Sequence, residues 1–225
     1  MQIISIANCA LHIKGEHKQI LIDALISEKS LFAKIPIALE EDIMGRRNGY
    51  ENIDRLFFTH SHDDHFDLGK CHEYMEKFGH GKILLPDSKL IKDGLVVDLG
   101  SMKITYHKGY HIGLKDSIHY SLLIEEMGKS ILVTADSELD INWFYERFYG
   151  QEIDAAFFNP VVLGSSSSRK VLNLVKPKMT YIYHLLPKEL DSYNYYKMAS
   201  NNLKTYAKDL PDCRLITDIC TELAV

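Results

Sequence analysis

The 225-residue chain has no CxxC pair, no apolar run near the 18 or so residues that a membrane helix requires, no G-x-S-x-G elbow and no G-x-x-x-x-G-K phosphate loop. Each absence removes a class. Cys9, Cys71, Cys213 and Cys220 stand apart and read as core or surface thiols in a reducing compartment. Positive charge is not in excess either: 26 Lys and Arg against 31 Asp and Glu give −5, which argues against indiscriminate binding of polyanions and makes nucleic acid a poor partner. A small molecule, an anionic one included, remains compatible when a metal holds it. The apolar opening from Met1 to Ala10 lacks a basic n-region, so neither a secretory leader nor a membrane partner is expected, and the expected location is the cytoplasm. No repeat at solenoid periods is evident. The one low-complexity patch, Ser165 to Ser168 after Gly164, reads as a loop and helix N-cap.

What is present is ordinary globular material, 46% apolar and 25% charged, in a chain long enough to bury about 70% of its unfolded surface. With no composition break, residues 1–225 are expected to form a single domain; oligomeric state is not legible. Strand chemistry marks Ile3–Ile6, Ile20–Ile22, Leu56–Phe58, Lys82–Leu85, Gly94–Leu99, Met102–Tyr106, Ser117–Glu125, Ser130–Ala135, Ile153–Phe158 and Met179–Tyr183. Helical spacing marks Leu68–Phe78, Glu138–Tyr149, Arg169–Val175 and Glu189–Ala207. Hairpin-like strands fill the first half and helix alternates with strand in the second, a pattern of two sheets covered by helices rather than one parallel sheet.

Histidine is the compositional anomaly: nine of the eleven lie between His60 and His184. Directly after the apolar strand Leu56–Phe58 comes Thr59-His60-Ser61-His62-Asp63-Asp64-His65, an HxHxDH pattern. Residues two apart on extended backbone point to one side, so His60 and His62 pair, and a turn can bring Asp64 and His65 to a second position nearby. Four ligands for a borderline cation in six positions, at the end of a buried strand, point to a metal. Asp63 and Asp67 read as solvent-facing or supporting groups, and the aromatics Trp143, Phe144, Tyr145, Phe148 and Tyr149 as a helix packing on the core.

The motif and its leading strand resemble the metallo-β-lactamase fold superfamily. Further anchors follow in that family's order. Asp23 ends the early strand Leu21-Ile22; Thr134-Ala135-Asp136 ends a strand where the family has Thr-Gly-Asp; His184 ends the strand Thr180 to Tyr183. The resemblance implies an α/β (α+β) architecture, an αββα sandwich of two mixed β-sheets flanked by helices. It implies one metal held by three histidines, His60, His62 and a third. A second metal would be held by Asp64, His65 and His184, with Asp136 as the bridge and Asp23 in support. For the third histidine the choices are His111, His119 and His107. His111, placed in a loop ahead of the hairpin that includes Ser117–Glu125, is favoured over His119 inside that strand, with His107 third. Asp136 has a second reading as the cap of the helix near Glu138.

The implied cofactors are two divalent ions, zinc first, with manganese or iron as alternatives. The implied activity is hydrolysis by a hydroxide between two metals, with Asp64 and Asp136 carrying catalysis, on a phosphodiester, lactone or ester. The chain is similar to the compact cytosolic branch with phosphodiesterases and phosphorylated-sugar lactonases. The same superfamily contains iron oxidoreductases of the persulfide-dioxygenase kind, and a non-catalytic metal-binding protein is a further alternative. A flavodoxin-like extension is not expected at this length, nor is the RNA-gripping arm of a tRNA-processing nuclease.

Overall fold

The computed structural model describes residues 1–32 and 34–224. The strands are β1 (Gln2–Ala7), β2 (Ala10–Lys14), β3 (Gln19–Ile22), β4 (Arg55–Phe57), β5 (Ile83–Leu84), β6 (Leu95–Asp98), β7 (Met102–His111), β8 (Leu114–Glu126), β9 (Lys129–Val133), β10 (Ala155–Phe158), β11 (Met179–Ile182), β12 (Cys213–Leu215) and β13 (Thr221–Leu223). The helices are α1 (Ile37–Gly45), α2 (Leu68–Phe78), α3 (Ile141–Phe148), α4 (Ser166–Val175) and α5 (Tyr195–Tyr206). One sheet has the order β13-β1-β2-β3-β4-β5, the other β12-β11-β10-β9-β8-β7-β6. Both are mixed: β3–β4–β5 and β9–β10–β11–β12 are parallel, the other pairings antiparallel.

Alternation along the strands creates the layers. Ile20, Ile22 and Phe57 face inward and meet Leu122, Ile124, Ile131, Val133, Phe157 and Tyr181 of the other sheet in one core between the sheets. Their neighbours Leu21, Leu56 and Phe58 face outward under Ile43, Cys71 and Tyr74 of α1 and α2. Leu132, Ala156, Phe158 and Ile182 face outward under Phe144, Phe148, Val171 and Leu172 of α3 and α4. Each fully buried Phe or Leu contributes roughly 1.5–3 kcal/mol, so both faces of both sheets are committed. The expected αββα sandwich of two mixed sheets is what the chain forms.

Several boundaries differ from the sequence reading. β7 runs on to His111, because β7 and β8 form one long hairpin that turns at Ile112 and Gly113 (φ 76°) rather than opening into a loop. The last helix starts at Tyr195, where the Asp191 carboxylate accepts from the amides of Tyr196 (3.1 Å) and Lys197 (3.0 Å). β2, α1, β12 and β13 are elements the apolar patterns did not mark. The strands are short, α1 carries Glu40, Glu41 and Asp42 in sequence and no clear apolar face, and packing against neighbours defines all four.

The connectivity gathers strand ends on one edge. β3 and β4 are parallel, so Asp23 and the HxHxDH segment leave the first sheet together. In the second sheet β7 and β9 are both antiparallel to β8 and therefore run the same way as β10 and β11. Their C-terminal ends lead into His111, Asp136, Asn159 and His184.

Candidate metal centre

Past β4, the Thr59 carbonyl accepts from the amide of Tyr120 (2.9 Å), which ties the segment to the other sheet. The amides of His65 and Phe66 both donate to the His62 carbonyl at 2.9 Å, a single turn that folds Asp64 and His65 back beside His60. Asp67 ends the segment by capping α2 through the Lys70 amide (2.9 Å), and Asp63 is exposed. Asp136 follows Ala135, whose φ is 42°, and α3 is capped by Asp140 instead, which leaves the Asp136 carboxylate free of that duty.

Two groups of donors result. His60, His62 and His111 place one ring nitrogen each within 4.8 Å of one another, and Asp64, His65, Asp136 and His184 likewise bring together one carboxylate oxygen or ring nitrogen each. His60 Nε2 faces His62 Nδ1 at 3.1 Å, close to the ~3.3 Å between two nitrogen ligands on a tetrahedral zinc. His111 donates Nδ1–H to the Ile112 carbonyl at 2.7 Å, which leaves Nε2 as a bare lone pair. Asp136 Oδ2 lies between the groups: 3.4 Å from His111 Nε2 and His65 Nε2, 3.5 Å from His184 Nε2 and 3.9 Å from His60 Nε2. His184 Nε2 is also 3.0 Å from Asp64 Oδ2. Nε2 of His65, His111 and His184 is buried and lacks a properly aligned hydrogen-bond partner. Buried polar atoms are ordinarily paired; three such nitrogens converging on carboxylates fit a divalent cation in each group.

Supporting contacts fix the rings. His65 donates Nδ1–H to Asp23 Oδ2 at 2.9 Å. His60 Nδ1–H donates to Thr59 Oγ1 (3.0 Å), whose hydroxyl donates to the same Asp23 oxygen (2.7 Å). One buried carboxylate thus orients a histidine of each group, and both present Nε2 to the centre. Asn159, after β10, donates Nδ2–H to Asp136 Oδ1 while its own Oδ1 accepts from the Val161 amide (3.0 Å). Thr59 and Asn159 went unmarked in the sequence. Thr59 adjoins His60, so position could have suggested it; nothing short of the sheet order could have indicated Asn159.

The charge balance follows from burial. Burial pushes His60 well below its usual range, with His65 and His119 adding to it, and burial with His111 lowers His62. Burial would raise Asp136, but His184, His111 and His65 around it hold it well below the carboxylate range. His65 and His184 go the other way: burial opposes their charge, yet Cys9 with Asp23 and Cys9 with Asp136, respectively, raise them. His119 is fully buried inside β8 with its ring centroid 5.0 Å from His60, but joins neither donor group; burial pushes it down to about 3. His107 packs against Phe148, away from the centre.

No family model matches the chain. The UPF0173 protein YddR of Bacillus subtilis (strain 168) is 31% identical over 75 residues, a stretch that covers 30% of this chain and 30% of that protein. Among solved structures, the metallo-β-lactamase fold protein YhfI from Bacillus subtilis is 13% identical with a TM-score of 0.65, covering 99% of this chain and 98% of its own. The isothiocyanate hydrolase from Delia radicum gut bacteria is 14% identical with a TM-score of 0.65, covering 100% and 99%. CmlA, a diiron β-hydroxylase from Streptomyces venezuelae, is 13% identical with a TM-score of 0.66; all of this chain corresponds to 54% of that longer one. Among the described residues no helix is long and apolar enough to cross a membrane. Identities this low carry the fold and nothing finer, and on that footing the chain has the metallo-β-lactamase fold.

Proposed function

We propose that the protein is a metal-dependent hydrolase that cleaves a small phosphodiester, lactone or ester at a centre of two divalent ions, zinc first. The observation that carries this reading is the position of Asp136 Oδ2 between two groups of donors, three histidines on one side and Asp64, His65 and His184 on the other. Two such ions, when bound, would supply an ionised water near neutral pH and polarise the substrate oxygen. The chain's own residues have the rest of the work. His60, His62 and His111 would hold the first ion and Asp64, His65 and His184 the second, with the Asp136 carboxylate placed between them. Asp23 and Thr59 keep the His60 and His65 rings in the tautomer that offers Nε2 inward.

Beside the second group, the Phe32 ring meets His184 edge-on at 4.4 Å between centroids, and Tyr193 stacks on Phe32 at 5.5 Å. These rings supply an apolar wall for the part of the substrate that does not react.

The test is elemental analysis of protein purified without chelator, then a screen over phosphodiesters, phosphomonoesters, lactones and thioesters with oxygen uptake followed in parallel. Close to two ions per chain and cleavage of one ester class are expected. Full metal occupancy with oxygen consumption and no cleavage would put the chain with iron oxidoreductases instead, and the absence of any bound metal after reconstitution would reject the centre.

A further inference from the structure

Cys9 takes no part in the centre as described above, yet it stands beside it. The residue closes the turn between β1 and β2, and that turn is clamped between the two loops of the second donor group. Asn8 (φ 49°) donates Nδ2–H to the Asp64 carbonyl at 3.1 Å, and the Asn8 carbonyl lies 3.4 Å from the His184 amide. Cys9 itself is fully buried, and its Sγ lies within 4.8 Å of a ring nitrogen of His65 and of one of His184. Both histidines are buried, at 0% and 3% exposure, and Nε2 of each has no hydrogen-bond partner. The other thiols have no such company: Cys71 lies under the outer face of the first sheet, Cys213 is on the edge strand β12 and Cys220 is exposed.

We propose that Cys9 gives a sulfur ligand to the metal position of His65 and His184 and makes that position selective for zinc or iron over manganese and magnesium. The inference rests on the metal reading above. Sulfur and nitrogen ligands on one zinc stand roughly 3.5 Å apart, a span that side-chain torsions reach from 4.8 Å at most. Binding replaces the S–H bond by a sulfur–metal bond, and the proton leaves to solvent. Thiolate is a soft donor, so it strengthens binding of borderline cations far more than that of oxygen-seeking manganese or magnesium. A thiol with no such role behaves as a small hydrophobe in the core between the sheets, and serine in its place would change nothing at the metal.

Cobalt(II) substitution separates the two. Wild-type protein and a Cys71→Ser, Cys213→Ser, Cys220→Ser triple variant should show a near-ultraviolet sulfur-to-cobalt charge-transfer band beside the visible d–d bands. Cys9→Ser should lose the first and keep the second, and its preference for zinc over manganese, read by competitive dialysis, should narrow at least tenfold. Cobalt bound with d–d bands and no charge-transfer band in wild type overturns the role of Cys9 and leaves the metal centre standing. A band that persists in Cys9→Ser does the same. If no cobalt binds, both readings fall. Should Cys9→Ser not fold, the wild-type and triple-variant spectra decide alone.

Discussion

Thr59 donates twice to Asp23, from its amide to Oδ1 at 2.8 Å and from its hydroxyl to Oδ2 at 2.7 Å. The hydroxyl also accepts from His60, so Thr59→Val strands a buried Nδ1–H while the shape of the site is kept. Loss of such an orienting contact typically weakens metal binding ~10–100-fold. That loss is expected at one position only, since His65 keeps its own bond to Asp23. Titration against a chromophoric chelator measures it; two unchanged affinities would refute the relay.

His111 and His119 give opposite expectations. His111→Ala should cost one metal ion per chain, because its Nε2 faces the centre. His119→Phe should keep both ions and gain stability, because both ring nitrogens of His119 are buried without partners and a buried polar group left unpaired costs about 1–3 kcal/mol. Elemental analysis and urea unfolding of the two variants check this. Retention of both ions in His111→Ala would return the role to another histidine.

On the proposed reading, Asn159 would act through Asp136, to which it donates, rather than on substrate. Asn159→Ala frees one carboxylate oxygen to swing, and turnover should fall about tenfold with KM little changed, since only an interaction made in the transition state is weakened. Asp136→Ala should depress turnover by orders of magnitude, because it removes the spacing itself. If the two variants are equally impaired, Asn159 is doing more than positioning.

Acid should destabilise the fold through His12 on β2, which belongs to neither donor group. This ring is stacked on Tyr50 and lies 3.1 Å from Gln19 Oε1; burial, with Lys14 adding, lowers it to about 4. The unfolded chain takes up this proton near pH 6.5 and the folded chain only near 4. Its contribution is therefore complete above pH 6.5, falls as pH drops through that window and amounts to about 3 kcal/mol. His12→Gln should flatten the pH dependence of the unfolding free energy between 6.5 and 4. Parallel curves for variant and wild type would exclude this residue as the source.

Ala135 holds a φ of 42° at the bend that delivers Asp136. A side chain in this left-handed region costs roughly 1–2 kcal/mol, partly offset in glycine by its greater chain entropy, about 0.5–1 kcal/mol. Ala135→Gly should therefore raise stability by about 0.5–1 kcal/mol, and Ala135→Val should lower it. Urea midpoints for the pair decide the matter, and a destabilised glycine variant would contradict the strain.

Part of the candidate site was legible in one dimension because it is local. His60, His62, Asp64 and His65 fall within six residues of one strand end, and a single turn places them. Asp136 and His184 were reached only through the resemblance, as strand-end residues that follow in that superfamily's order. What no pattern could decide was which distant residues meet. His111 and His119 are both histidines of one hairpin, yet only the direction and length of β7 carry His111 to the common edge while β8 holds His119 under the core. Asn159 comes to Asp136 because β10 lies beside β9, and Cys9 comes beside His65 and His184 because the β1–β2 turn is clamped between the loops of Asp64 and His184. Periodicity along the chain determines which face each strand buries; sheet order and parallel register, set by the packing of two whole sheets, determine which strand ends share an edge.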